Sequence, residues 1–435
     1  MTTSVRDSLL RSAGARAITL PVSAVFSLLT SALILRNFGT DSFSQYTLVI
    51  SIAAVLPFAD LGVGAATVNA VSKSSSFREE SVVSVTVASL RILIFSATVL
   101  SIVAVAITMI SGWKVILGDS FEESAGLYAL IGVLFFAASM PLGLGQRIAI
   151  GAGKNERQVL IQGLQPALVF LAVLVATAVF NDGKTAILCF FGAYLLTTFL
   201  IAFDANRLTD GLLVRATRLI FRFDKARNIG IFQTALPMLA VMIGMPLVLQ
   251  THRMVLSHLS DAEAIAQYSL AAQMFLPVAA VVGAASVSLW PQFAKDRARD
   301  TGSRAPHPLK LSAIFAGASL ILCSVGVLLA PMIAPLISGN KVDISPGLGL
   351  AFTFFVVCQS LQSPLGIYLT DISGLRYQSV CVVAVVLSAF VLCLLLTPSL
   401  GAAGPLVATG VSIFVFQVIP YSTRIVLRRR AMECK

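Results

Sequence analysis

The sequence predicts an all-α polytopic membrane protein with about twelve transmembrane helices, in two parallel six-helix repeats around a central cavity. Three observations predict it. Of 435 residues, 57% are hydrophobic and only 12% charged, with a mean hydropathy of +0.90; a soluble domain of this length carries roughly 25% charged residues. Apolar runs of about 20 residues, the length that crosses a bilayer as a helix, recur along the whole chain. The Lys and Arg residues fall almost entirely in alternate gaps between these runs, which is the bias that orients membrane helices. The alternating ~10-residue segments of an outer-membrane barrel do not occur in the sequence.

In the first half, spans are expected at 18–36, 45–70, 82–110, 125–147, 159–180 and 185–204. Arg6, Arg11 and Arg16 precede the first run, from Ile18 to Leu35. No small-residue cleavage site follows it, so it is expected to remain as a span rather than leave as a signal peptide. The third run exceeds the bilayer thickness and is expected to tilt or to extend beyond the membrane. In the second half, spans are expected at 229–251, 265–293, 311–337, 347–370, 377–397 and 404–424, the eighth again being long.

The charge tally tests this order. Odd-numbered gaps contain five basic residues: Arg36, Lys114, Lys184, Arg253 and Lys341. The termini and even-numbered gaps contain the other twenty-five, apart from Arg91 inside the third span. Such a split puts both termini in the cytoplasm and supports the count, because a missed span would scramble the tally after it. The net charge of +11 is therefore a topology signal, and nucleic-acid binding is not expected. The outer gaps are short and leave no room for an extracytoplasmic domain. The predicted units are an N-terminal lobe (1–206), a basic cytoplasmic linker (207–228) and a C-terminal lobe (229–435). In the linker, Arg215, Arg218, Arg222 and Lys225 share one helical face, with Leu213, Leu219, Ile220 and Phe223 largely on another. This pattern fits either a basic helix lying on the inner leaflet or a solvated loop.

The halves echo each other. Leu20-Pro21 returns as Leu236-Pro237, and Arg36 as Arg253. Gln45-Tyr46-Thr47-Leu48 returns as Gln267-Tyr268-Ser269-Leu270, and Pro141-Leu142-Gly143 with Gly151 as Pro364-Leu365-Gly366 with Gly374. The offset steps from 216–217 to 222–223 after Arg253, as one insertion of about five residues would produce. An even number of spans per half makes the repeats parallel, and two such bundles transport by rocking about a cavity between them.

Few residues offer chemistry. Asp60 is the only acid well inside a span, and a charge there costs roughly 2.5–3.5 kcal/mol on insertion scales. It is expected to serve as an ion-coupling site, as a partner for a cavity arginine, or as a structural acid at a bend beside Pro57 and Gly62. Arg91 either faces inward, where it would meet an anionic headgroup, or snorkels to the cytoplasmic surface. Arg36 and Arg253 mark either the outer mouth of the cavity or interfacial anchors. Intramembrane glutamines, among them Gln162, Gln233, Gln273, Gln359, Gln362 and Gln417, either bind sugar hydroxyls or join helices. His252, His258 and His307 lie at span ends or in loops and are expected to be unpaired. The six cysteines lack metal-ligand spacing and are expected to act as small apolar side chains. No nucleophile elbow, phosphate-binding glycine loop or carboxylate pair occurs in the sequence, so neither an enzyme nor a cofactor is expected.

Arg36-Asn37-Phe38-Gly39, Gln45-Tyr46, Phe58-Ala59-Asp60-Leu61-Gly62 and Gln267-Tyr268-Ser269-Leu270-Ala271-Ala272-Gln273 resemble the polysaccharide-biosynthesis flippases. These belong to the multidrug/oligosaccharidyl-lipid/polysaccharide exporter superfamily. The resemblance, with chain length and the six-plus-six arrangement, extends over essentially the whole sequence. It implies a flippase in the bacterial cytoplasmic (inner) membrane that moves undecaprenyl-pyrophosphate-linked oligosaccharide to the periplasmic leaflet and works beside the polysaccharide polymerase machinery. Under that implication Arg36, Arg91 and Arg253 bind the substrate and Asp60 couples an ion. One departure is His252, where many relatives carry an acid before the arginine. A multidrug or cation antiporter of the same superfamily is the main alternative, and a peptidoglycan-precursor flippase, usually two spans longer, is a closer one.

Overall fold

The computed structural model describes residues 3–55, 63–74, 76–180, 182–221, 232–289, 293, 307–370 and 372–433. Among these the chain is almost entirely helical and contains no strand. In lipid a backbone group has no water to bond, so a helix satisfies it within its own segment. Contacts divide the chain into two compact units, Met1–Leu236 and Pro237–Lys435, here the N-lobe and the C-lobe.

The N-lobe contains α1 (Thr3–Val55), α2 (Val63–Lys73), α3 (Glu80–Met109), α4 (Trp113–Leu117), α5 (Gly126–Leu142), α6 (Leu144–Gly151), α7 (Asn155–Gly163), α8 (Gln165–Val179), α9 (Thr185–Leu208) and α10 (Leu212–Leu219). Two of the expected spans run together in α1, which breaks only at Gly39, with φ 85° and ψ −176°. Side chains with a Cβ rarely adopt that φ, and the glycine follows Arg36 at the expected turn. α1 packs on α7 and α8, α5 on α3 and α9, and α6 on α2 and α9.

The C-lobe contains α11 (Phe232–Leu259), α12 (Ala262–Ser288), α13 (Pro308–Ser338), α14 (Pro346–Tyr368), α15 (Ile372–Leu400), α16 (Gly404–Ile413) and α17 (Ile419–Glu433). Helices α13 and α14 pack together, as do α15 and α16, with α12 against α14. The insertion expected in the loop after Arg253 falls instead in helix, because α11 runs on through Arg253. The repeat would carry the break at Gly39 to Leu256, yet α11 continues to Leu259 before the chain turns at Ser260 and Asp261. The added residues therefore extend α11 by about one helical turn.

Nine segments among the described residues are long and apolar enough to cross a membrane. Ile18–Ile52 holds the Gly39 break, and Ser373–Arg428 spans α15 to α17. Each of the twelve expected spans falls largely on helix where its residues are described. Phe95, Ile102 and Met109 on α3, and Ile321, Leu328 and Met332 on α13, all stand exposed. Their spacing of seven or four residues makes an apolar stripe along each helix, a surface suited to lipid.

Two further expectations are corrected. The linker forms a short helix, α10, whose apolar face lies on the N-lobe rather than on a leaflet or in solvent. Leu212 and Ala216 are fully buried in a cluster with Val82, Leu90, Leu144 and Ile148, and Leu213, Leu219 and Ile220 pack against it. The apolar stripe that looked lipid-binding in sequence is covered by protein; Arg222, Phe223 and Lys225 lie outside the described residues. Likewise His252 is not unpaired. It is fully buried, with Nδ1 hydrogen bonded to the Tyr268 hydroxyl at 2.8 Å and Nε2 to Thr409 Oγ1 at 2.7 Å. A neutral ring has one donor and one acceptor nitrogen and meets two hydroxyls completely. His307 caps α13 by accepting the Leu309 N–H.

Candidate functional site

A cavity of about 80 Å³ opens inside the N-lobe where α5 passes into α6. Pro141-Leu142-Gly143, half of the internal repeat, marks this joint. Beyond Gly143 the chain continues as α6 in very close contact with its neighbours. A Cβ on Gly145 would run into the Ala202 backbone of α9, and one on Gly151 would meet the Val68 carbonyl of α2 at 3.0 Å. The two glycines hold α6 against α2 and α9, which carries Gln146 and Arg147 to the cavity.

Ser139 and Phe136 of α5, Gly64 of α2 and Tyr194 of α9 complete its polar side. The Tyr194 ring stacks on Phe136, with centroids 5.6 Å apart and an interplanar angle of 21°. Among the described residues that line the cavity, Arg147 is the one formally charged side chain. The acids at either end of α9 are engaged elsewhere. Asp204 takes a bidentate ion pair from Arg157, at 2.6 and 3.0 Å. Asp182 accepts the Tyr128 hydroxyl at 2.6 Å. Its described lining thus offers a guanidinium, an amide and a phenol, while the Ser139 hydroxyl donates to the Phe136 carbonyl at 2.6 Å. That set suits an anion carrying oxygen acceptors.

Arg36, Arg91 and Arg253 are not among the described residues that line this cavity. Arg36 is exposed next to the buried Ile34 and Leu35. Arg253, its repeat mate in the C-lobe, is half-buried. Its Nε donates to Ser269 Oγ at 3.2 Å and its Nη1 to Gln250 Oε1 at 3.0 Å, and its guanidinium stands 5.9 Å from the Tyr268 ring centre. Arg91 is half-buried on α3 and its Nε donates to the Ile220 carbonyl at 2.9 Å. It thereby fastens the end of α10, where helix carbonyls lack partners. Asp60 lies outside the described residues. Among the described residues no cluster of three or more His, Cys, Asp or Glu side chains could hold a metal.

Arg147 and Tyr194 escaped the sequence reading. Arg147 counts as one more cytoplasmic basic residue in the charge tally, and Tyr194 sits in an apolar run with nothing to mark it. The repeated Pro-Leu-Gly, four residues before Arg147, was the available signal.

A second cavity belongs to the C-lobe. A groove of about 820 Å³ is bordered by Asp261, Glu263, Gln267, Ser345, Phe354 and Leu400. The Gln267 Nε2 donates to Glu263 Oε1 at 3.2 Å, and Asp261 caps the start of α12.

No protein-family model matches the chain, and no curated protein matches it in sequence. Solved structures do. The chain is similar to a multidrug resistance MATE family transporter of the MOP superfamily in an inward-facing conformation. The two share 16% identity with a TM-score of 0.71, over 95% of this chain and 96% of that one. It is similar to the lipid II flippase MurJ in an inward closed conformation, at 13% identity and a TM-score of 0.68, over 94% and 87% of the two chains. An outward-facing MATE transporter aligns at 15% identity with a TM-score of 0.60, over 99% and 97%. At such identities the likeness is one of fold: this chain shares the fold of these solved transporters.

Proposed function

We propose that this protein is a flippase that moves a polyprenyl-pyrophosphate-linked oligosaccharide from the cytoplasmic to the outer leaflet of the bacterial inner membrane by alternating access. The observation that carries the proposal is the charge of the N-lobe cavity. A cation carrier needs an acid where its substrate sits, and among the described residues that line this cavity the charged one is Arg147. A pyrophosphate offers the acceptors that Arg147, Gln146 and Tyr194 would satisfy. Hydrogen bonds between charged groups contribute about 1.5–3 kcal/mol each.

In this reading the protein alternates between inward- and outward-open states. The alternate-gap charge bias puts α6 at the cytoplasmic end of the fourth span, so Arg147 meets the headgroup first. Arg36 and Arg253 receive it at the outer rim, Arg91 acts at a distance by fixing the basic helix α10, and Asp60 is the candidate for coupling an ion. The membrane potential helps: moving one negative charge outward across 100 mV, inside negative, gains about 2.3 kcal/mol. The polysaccharide polymerase machinery would use the delivered glycan.

The C-lobe groove favours a second reading. Its rim acids Asp261 and Glu263 stand above apolar walls, as a carrier of amphipathic cations would require. Depleting the protein from cells separates the two. Accumulation of one lipid-linked oligosaccharide facing the cytoplasm, with loss of the surface glycan, supports the flippase. Unchanged lipid intermediates with new sensitivity to cationic drugs would support the exporter.

A further inference from the structure

Helices α16 and α17 are joined by one π-helical turn, Phe414–Val418, in which the Ile419 N–H reaches back five residues to the Phe414 carbonyl. Such a turn interrupts the ordinary helical ladder and is frequent at functional sites. This one packs against α14. Gln417, within it, is 1% exposed, and neither its amide oxygen nor its amide nitrogen has a hydrogen-bond partner. One turn on, Tyr421 is fully buried and its hydroxyl also lacks a partner, as does the buried Oε1 of Gln359 on α14.

Gln417 and Gln362 both lie beside Tyr421, and Gln359 is on the same face of α14 as Gln362. Gln359, Gln362 and Gly366 follow one another at helical spacing along α14, and the Gln417 and Gln362 amides come up to the Tyr421 hydroxyl without closing a hydrogen bond. Gly366 keeps the space open. A Cβ there would meet Gln362 Nε2 at 3.3 Å, Gln378 Oε1 at 3.4 Å and the Tyr421 ring at 3.8 Å. Gln378 does not fill the need, because its Nε2 already donates to the carbonyls of Gly366 and Leu369. Leaving a buried polar group unpaired costs about 1–3 kcal/mol, so several together call for an occupant.

The chemistry of the set selects that occupant. The Gln417 nitrogen donates, the Gln359 and Gln417 oxygens accept, and the Tyr421 hydroxyl does both. A bare cation would serve only the acceptors, and an anion only the donors. Water serves both, and buried water makes about three bonds to groups of this kind. We propose that the π turn of the C-lobe holds internal water bound by Gln417, Tyr421 and Gln359. This water completes the hydrogen bonding of a helix joint deep in a membrane protein and is the natural place for α16 and α17 to flex. The site stands whatever solute the protein carries.

Hydroxyl-radical footprinting of the purified protein tests this, because radicals made from bound water oxidise the residues beside it. Tyr268 supplies the control, being 1% exposed with its hydroxyl bonded to His252. Tyr421 is expected to be oxidised at least about tenfold faster than Tyr268, since only Tyr421 has water at its hydroxyl. Equal, negligible labelling of the two tyrosines would overturn the proposal. In a folded Gln417→Leu variant the Tyr421 rate is expected to drop to that of Tyr268. A rate unchanged from wild type would remove Gln417 from the site. Labelling of Tyr421 that is abolished by replacing choline chloride with sodium chloride would assign the site to a cation and contradict water. Should Gln417→Leu fail to fold, the wild-type comparison decides alone.

Discussion

The two lobes carry the same repeat but use it differently. Past α3 in the N-lobe, the short helix α4 and the loop after it cover the end of the bundle, with Trp113, Leu117 and Phe121 buried. Gln45 clamps this cover, donating to the Ser120 carbonyl at 2.7 Å and accepting the Glu122 N–H. In the C-lobe the repeat mate Gln267 has no such cover to hold and borders the open groove. Deeper in, the offset of 223 carries Ser139 to Gln362, Gly143 to Gly366, Arg147 to Thr370 and Tyr194 to Gln417. At the four matched positions the N-lobe carries Arg147 where the C-lobe carries Thr370, and Tyr194 where it carries the amide of Gln417. A duplicated scaffold thus keeps its bends while the polar groups at those bends diverge.

The largest expected effect breaks that asymmetry directly. Arg147→Ala removes the charge found among the described lining residues of the N-lobe cavity and should lower transport roughly ten- to hundredfold, the equivalent of one charged hydrogen bond. Thr370→Ala, at the C-lobe counterpart, should leave transport near wild type in the same assay. Arg147→Lys keeps the charge but loses the bidentate fork, so partial activity is expected.

Close packing gives the next effect. Gly145→Leu forces a side chain into the Ala202 backbone and should destabilise the protein by about 3 kcal/mol, read as a lowered midpoint of thermal unfolding in detergent. Gly317→Ala, with nothing within 4 Å of the new methyl, should match or slightly exceed wild type, since alanine favours helix.

His252→Leu gives the C-lobe the residue that the N-lobe has at Leu35. It deletes the bonds to Tyr268 and Thr409 and loosens the ring beneath Arg253. Hydrogen bonds inside membrane proteins average about 0.6 kcal/mol, so two of them amount to about 1–2 kcal/mol in the same unfolding measurement. A neutral result would mean that the two hydroxyls find other partners.

The smallest effect is a pH dependence of the N-lobe cover. The Lys184 ammonium, 2.9 Å from Glu122, and the Ser124 hydroxyl hold the Glu122 carboxyl below its ordinary value of 4.5. A lowered folded value means that this contribution is complete above 4.5 and is lost as the pH falls through the lower folded value. The pair is partly exposed, so its worth is under about 1 kcal/mol. Glu122→Gln should therefore lower the thermal midpoint slightly at pH 7, and the gap to wild type should close in acid.

Much of this fold was legible in the sequence because lipid imposes simple rules. Span positions follow from hydropathy, the Gly39 turn from its place after Arg36, and the presence of added residues after Arg253, though not their place in helix, from the step in repeat offset. The candidate site was less legible. Arg147 and Tyr194 are 47 residues apart and meet only because Gly145 and Gly151 bring α6 against α9 and α2. Packing at that range leaves no periodic trace. His252 and α10 misled for a related reason: a polar residue near a span end and an amphipathic stripe both look solvent- or lipid-facing until the element that covers them is known.

The most direct test of the central claim is the sidedness of the lipid-linked oligosaccharide in cells whose only copy of this protein carries Arg147→Ala. Undiminished protein in the membrane, with the intermediate accumulating on the cytoplasmic face, is the expected result. Normal export by a variant without that guanidinium would contradict the assignment of the N-lobe cavity as the site that holds the anionic headgroup.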